Sequence, residues 1–269
     1  MKRTITFFTF LTLTGLFNIT FAQDRHFAWT YESTTLPKGA IDFEPQVTYS
    51  TGRNNFYRKY ESRLEFETGL TNKLQTAVYL NTSQESKALT DENGKVIGIG
   101  ESTGLSFSNE WKLNLLDPSV NPVGLGVYGE YGISTDEVEL EFKLLLDKRT
   151  PKSILAYNFA TEFEIEKEFE ADEAAIEGDH EVAIENDLAY MYMFKPTIGL
   201  GIEAHNSNVI DGGEWEHSAL YVGPSLFFSQ KNFYAIINAL PQIGDLKNGG
   251  LELHDNTKFT GRIMLGVSF

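Results

Sequence analysis

Hydrophobic and polar residues alternate one by one along most of this chain, in runs of about ten separated by turn-forming clusters. Side chains alternate sides along an extended strand, so each run predicts a strand with one apolar and one polar face. In the first, over 40–49, Ile41, Phe43, Val47 and Tyr49 oppose Asp42, Glu44, Gln46 and Thr48. In the fourth, over 103–115, Leu105, Phe107, Trp111 and Leu113 oppose Ser106, Ser108, Glu110, Lys112 and Asn114. Twelve strands are expected: 40–49, 57–68, 74–83, 103–115, 123–132, 138–147, 154–165, 181–194, 197–205, 219–229, 233–240 and 259–269. The eleventh is ambiguous in facing, because Asn238 shares a side with Tyr234, Ile236 and Leu240.

The connections differ in kind. Gly69-Leu70-Thr71-Asn72, Thr150-Pro151-Lys152, Lys195-Pro196 and Gln230-Lys231-Asn232 are tight turns, and Pro118 and Pro122 stop the fourth strand by removing ladder donors. Connections after even strands are short, whereas 84–98, 206–218 and 242–257 read as long polar loops; only 134–136 is short on that side. Short turns at one rim and longer loops at the other characterise barrels that cross outer membranes. An even strand count brings both chain ends to the short-turn rim. A helical pattern fits only Glu170 to Glu177, as a short piece within a loop. Residues 39–269 read as one barrel, 23–38 as a lead-in on the periplasmic side, and 1–22 as a secretory signal peptide. Lys2 and Arg3 precede an apolar, Thr-rich run that ends at Thr20-Phe21-Ala22.

The fold class expected is all-β: a transmembrane antiparallel up-and-down barrel of about twelve strands in the bacterial outer membrane. Single strands reach the 9–11 or so residues needed to cross a bilayer at a tilt. A soluble sandwich alternates too, but with shorter strands and a polar outer face. A mean hydropathy of −0.25 is compatible with a membrane barrel, whose backbone is satisfied between strands without any apolar helix. Tyr190, Tyr192 and Phe194 at a strand end fit an interfacial aromatic girdle. Phe269 ends the last strand and resembles the assembly signal of outer-membrane barrels, which implies the barrel assembly machinery and membrane lipid as partners.

Charge narrows the function classes. The formal net charge is −16, and loss of Lys2 and Arg3 makes it −16 − 2 = −18, so nucleic acid is an unfavourable partner. With no cysteine, the chain is neither a lipoprotein nor a disulfide scaffold.

If the apolar face meets lipid, the other face lines a lumen. Candidate lining residues are Glu44, Glu61, Arg63, Glu65, Glu67, Glu110, Lys112, Glu130, Glu139, Glu141, Lys143, Glu162, Glu164, Glu185, Asp187, Glu203 and Arg262. Thirteen carboxylates against four cations predict a negative interior that favours cationic or neutral solutes. The expected function is a passive channel or transporter for small solutes, with no cofactor. Two alternatives are a plugged structural or adhesive barrel working through its outer loops, and, less favoured, a barrel lipase. Glu162, Glu164, Glu166, Glu168 and Glu170 form an alternating row that reads first as a solvated acidic edge and second as a row relieved by divalent cations or nearby lysines. No metal-loop spacing accompanies it. His205-Asn206-Ser207 and His217-Ser218 are the nearest His/Ser groupings, but residues so close along a strand point apart, so no catalytic residue is expected.

Short motifs carry a resemblance. Leu36-Pro37-Lys38-Gly39 before Ile41-Asp42-Phe43-Glu44, then Arg63-Leu64-Glu65-Phe66-Glu67-Thr68-Gly69-Leu70-Thr71-Asn72, are similar to the opening strands of the MetA-pathway of phenol degradation family. Gly223-Pro224-Ser225 is similar to a later segment of it. The resemblance implies an outer-membrane barrel that takes up small, often aromatic, molecules.

Overall fold

The computed structural model describes residues 25–269 except 136, 167, 170–175, 178 and 179, and side chains other than those of 166–180. The signal-peptide segment lies outside the described residues, as does most of the stretch read as a short helix.

Fourteen strands are present among the described residues: β1 (Ile41–Thr51), β2 (Tyr57–Gly69), β3 (Leu74–Thr90), β4 (Val96–Leu116), β5 (Gly124–Ile133), β6 (Glu137–Arg149) and β7 (Ser153–Glu166) in the first half. Then come β8 (Glu168–Phe169), β9 (Ile176–Glu177), β10 (His180–Lys195), β11 (Ile198–Asp211), β12 (Glu214–Gln230), β13 (Phe233–Asp245) and β14 (Phe259–Ser268). All but β8 and β9 join one closed antiparallel barrel, in which chain neighbours pair and β1 closes onto β14. The barrel therefore has twelve strands, as the alternation predicts. β8 and β9 form a separate two-stranded ladder, so Ile176–Glu177 is strand rather than helix.

The facing of the strands follows the alternation. Phe107, Trp111, Phe142 and Ile263 point outward and are 62%, 47%, 55% and 51% exposed. Their neighbours Ser108, Glu110, Glu141 and Met264 are buried inside. An exterior this apolar around a ring of hydrogen-bonded backbone fits hydrocarbon rather than water. At the closure, Asp42 pairs with Ser268 and Phe43 with Val267; the ladder lapses at Pro45, which has no N–H, and resumes at Gln46–Met264 in the same register.

Two segments read as loops, 84–98 and 206–218, are mostly strand instead. β3 and β4 run on together to a tight tip at residues 91–95, and β11 and β12 to a tip at Gly212 and Gly213, both with positive φ. Here the hairpins extend beyond the apolar belt, so the hydrophobic alternation that marks a lipid-facing strand stops while the backbone ladder continues. The asymmetry between the rims is thus carried mainly by strand length.

The largest departure from expectation concerns residues 25–36. Read from sequence as a lead-in preceding the barrel, they are folded into it. Phe27, Ala28, Thr30 and Ser33 are fully buried, and Tyr31, Glu32 and Leu36 nearly so. Their burial comes from inward-facing side chains of the strands, which hold them as a plug.

Candidate functional site

The plug is fixed by polar side chains that stand in for a neighbouring strand. Glu203 on β11 accepts N–H bonds from Ala28 at 3.1 Å, Trp29 at 2.8 Å and Thr30 at 3.3 Å, and a further bond from Asn238 Nδ2 at 3.3 Å. Consecutive backbone N–H groups converging on one carboxylate form an anion nest, here with the anion supplied by the barrel wall. Asn158 on β7 accepts from the Tyr31 N–H at 2.6 Å and donates Nδ2 to the Tyr31 carbonyl at 2.8 Å, reproducing both bonds of a ladder pair. Asp147 on β6 accepts from the Ser33 N–H at 3.0 Å and also binds its hydroxyl. Gln75 on β3 accepts from the Leu36 N–H at 2.9 Å. Unpaired backbone donors would be costly in so buried a place, and these four residues satisfy them.

Apolar packing seats the turn-rim end. Phe27 sits among Ile154, Ala156, Ala189, Met191, Phe227, Tyr234, Ile236 and Met264. This part of the interior is therefore a hydrophobic core. It resolves the facing of β13, because Tyr234, Ile236, Asn238 and Leu240 all point inward. A lumen lined throughout by polar residues is corrected on this side. An apolar inner face is possible because the plug, not water, covers it.

Charges hold the plug elsewhere. Arg25 lies 3.7 Å from Glu44 and 4.1 Å above the Tyr31 ring. Glu32 pairs with Arg149 at 2.8 Å and His26 at 3.0 Å. Arg262 lies 3.8 Å over the Trp29 ring and donates to the Ala28 carbonyl at 2.9 Å.

Beyond the plug, toward the far rim, the interior opens into a cavity of about 790 Å³ with Trp29 and Tyr31 among its lining residues. Its charged lining is Glu61, Glu137, Glu139, Glu141, Glu162, Glu164, Glu185 and Asp187 against Lys59, Arg63, Lys143 and Arg262: eight carboxylates and four cations. Lys59 pairs with Glu61 at 2.8 Å and Lys143 with Glu141 at 2.7 Å, so cations are consumed locally while the acidic excess persists.

Of the seventeen residues expected to line a lumen, ten meet in this vestibule: Glu61, Arg63, Glu139, Glu141, Lys143, Glu162, Glu164, Glu185, Asp187 and Arg262. The other seven are placed differently. Glu203 grips the plug, and Glu130 is buried with Arg63 at 3.3 Å. Glu44, Glu65, Glu67 and Glu110 are buried together on β1, β2 and β4, and Gln75 Nε2 bridges Glu67 and Glu110 at 3.3 Å each. Lys112, on the same face of β4 as Glu110, is likewise buried. In the acidic row, Glu162 and Glu164 line the vestibule, whereas the side chains of Glu166, Glu168 and Glu170 lie outside the described residues. Sequence reading missed Asn158, Asp147 and Gln75; their signal is a polar residue on an inner face near a turn, which is weak without knowledge of the plug.

The His/Ser groupings do not form a nucleophile–base pair. His205 Nδ1 is 2.7 Å from Asp187, and the Ser218 hydroxyl accepts from Asn206 at 3.0 Å.

A closed, lipid-facing barrel of this topology with a polar internal cavity defines an outer-membrane β-barrel of porin-like architecture. The chain belongs to the family of unknown function DUF6662, whose sequence profile matches residues 19–269. The MetA-pathway family suggested by the opening motifs is not the one matched, and what stands of that resemblance is the barrel fold. Among curated proteins, none matches the sequence. The COG4313 outer membrane channel from Pseudomonas putida F1 is similar in structure, with a TM-score of 0.64 at 11% identity over 88% of this chain and 98% of that one. The NanC porin is similar with a TM-score of 0.55 at 11% identity, over 84% and 98% of the two chains. The translocator domain of the autotransporter NalP from Neisseria meningitidis gives 0.56 at 11% identity over 86% and 89%. At such identities the likeness is one of fold.

Proposed function

We propose that the protein is a passive outer-membrane channel for small solutes, whose acidic vestibule favours cationic or neutral molecules and whose N-terminal plug controls passage. The observation that carries this reading is the vestibule: about 790 Å³, opening beyond the plug, with eight carboxylates to four cations. A cleft lined by one sign of charge and walled by low dielectric focuses its field and concentrates counter-ions. Trp29 and Tyr31 at its floor add flat aromatic surface, on which planar solutes can stack. Channel and porin neighbours of the same fold support a conducting role.

The plug favours a second reading, a barrel that conducts nothing and acts through its extended outer hairpins. Planar-bilayer recording of the full chain and of a form lacking residues 25–36 separates the two. The channel reading expects cation-selective conductance that rises severalfold without the plug. It also expects Glu139→Gln, Glu162→Gln and Glu164→Gln together to lower the cation-to-anion permeability ratio. A plugless barrel that folds but stays silent supports the second reading.

A further inference from the structure

We infer that Glu185, Asp187 and His205 form a binding site for a divalent transition-metal cation of the Zn²⁺ class, built into the vestibule wall at the edge of the plug. Alternation on β10 puts Glu185 and Asp187 on one face, and the β10–β11 register sets His205 directly across from Asp187. One potential ligand atom from each of the three lies within 4.8 Å of the other two.

The two ring nitrogens have different surroundings. Nδ1 is 2.7 Å from Asp187 Oδ1, a hydrogen bond an Nδ1 proton makes, and the neutral ring in that tautomer offers its Nε2 lone pair to a metal. Nε2 faces Glu185 Oε1 at 3.8 Å, too far for a hydrogen bond. A nitrogen and an oxygen bound to one Zn²⁺ at ordinary bond lengths stand roughly 3.4–3.8 Å apart for angles of about 110–130°. The gap thus matches an ion between the two atoms. Asp187 behind the ring is the carboxylate–histidine arrangement that orients a ligating imidazole and raises its basicity.

The ring is held in place for this. Trp29 of the plug stacks on it at 4.7 Å and 23°, and Tyr221 lies 6.1 Å away on β12. The nearby cations are engaged elsewhere: Arg262 with Trp29, the Ala28 carbonyl and, at 2.9 Å, Thr48, and Lys143 with Glu141. Glu185 and Asp187 both line the cavity, so an ion reaches them through the acidic vestibule, where its local concentration is raised. An imidazole ligand selects Zn²⁺ over Ca²⁺ and Mg²⁺, which favour all-oxygen sites. Water completes the coordination, as befits a site from which an ion can leave.

Binding is separable from conduction, so the test stands whether or not the barrel passes solutes. Tag-free mature chain, folded in detergent and checked by its heat-modifiable gel shift, is titrated with ZnCl₂ by calorimetry and with CoCl₂ by visible absorption. The expected result is one saturable site, at least a hundredfold tighter for Zn²⁺ than for Ca²⁺, with a d–d band on adding Co²⁺. His205→Gln and Glu185→Gln each weaken Zn²⁺ binding at least tenfold, while Glu92→Gln, at the β3–β4 tip, leaves it unchanged. Glu185 is only partly buried, so its variant carries the test alone if His205→Gln does not fold. Absence of saturable Zn²⁺ binding, or wild-type affinity in the Glu185→Gln variant, overturns the assignment.

Discussion

The backbone N–H of Trp29 donates to Glu203 Oε2 at 2.8 Å, across 174 residues of sequence. The bond fastens the segment ahead of the barrel to the middle of β11, and through Ala28 and Thr30 it is one of three on the same carboxylate.

Replacing Glu203 by Ala leaves three buried backbone donors without acceptors. Leaving such a donor unsatisfied costs about 1–3 kcal/mol, so plug docking is expected to weaken by at least about 3 kcal/mol, roughly a hundredfold in the docked-to-free ratio. Hydrogen exchange at residues 27–31 should accelerate accordingly while the barrel strands stay protected. Unchanged protection there would show that Glu203 is not the anchor.

Phe27 tests the apolar half of the same attachment. It is 0% exposed amid eight buried barrel side chains. Phe27→Ala removes a buried ring and leaves a cavity, a loss of about 3–5 kcal/mol where the surroundings cannot collapse. The readout is protease sensitivity of the N-terminal segment, which should rise while the heat-modifiable mobility of the barrel is kept.

Gly69 tests how tightly the plug exit is fitted. A Cβ added there would lie 2.2 Å from the Pro37 carbonyl oxygen and 2.5 Å from that of Leu36, so backbone must move. Gly69→Ala is expected to displace residues 36–38 and break the Leu36–Gln75 bond, costing about 1–3 kcal/mol. Tyr31 and Trp29 lie farther along the plug, so fluorescence near Trp29 should change less than exchange at Leu36.

The 246–258 connection has its own acid-sensitive clasp. Burial works against the charge of Glu252, but the Asn256 side chain and the N–H groups of His254, Asn256 and Asp255 outweigh it and hold its pKa below the ordinary value. A carboxylate lowered in the folded state adds stability above its unfolded pKa, about 4.3, and that stability is lost as pH falls through the folded value. The loop is therefore expected to withstand proteolysis at least as well at pH 5 as at pH 7 and to loosen in more acidic solution. Glu252→Gln should abolish that pH dependence. The neighbouring His254, raised by its bond to Asp255, acts in the opposite sense, contributing below about 6.5 and fading as pH rises.

The strand pattern was legible where lipid enforces it. Phe107, Trp111 and Phe142 must be apolar because hydrocarbon surrounds them, and their partners were placed correctly by period two alone. Beyond the belt that constraint vanishes, so the outer stretches of β3, β4, β11 and β12 read as loops although their ladders continue. On β13, Asn238 confused the facing because an apolar inner face makes sense only with Phe27 against it. Glu203 was recognised as inward-facing, yet its role was invisible, because nothing local distinguishes a carboxylate in water from one gripping three N–H groups.

Sequence by itself determined the number of barrel strands, which residues meet lipid and the acidic sign of the interior, since all three follow from a strict two-residue period and a count of charges. Tertiary structure alone decided that residues 25–36 fill part of the lumen, and which carboxylates remain around the vestibule. Those outcomes depend on side chains brought together from strands far apart in the chain, and burial energy is set by such meetings rather than by neighbours in sequence.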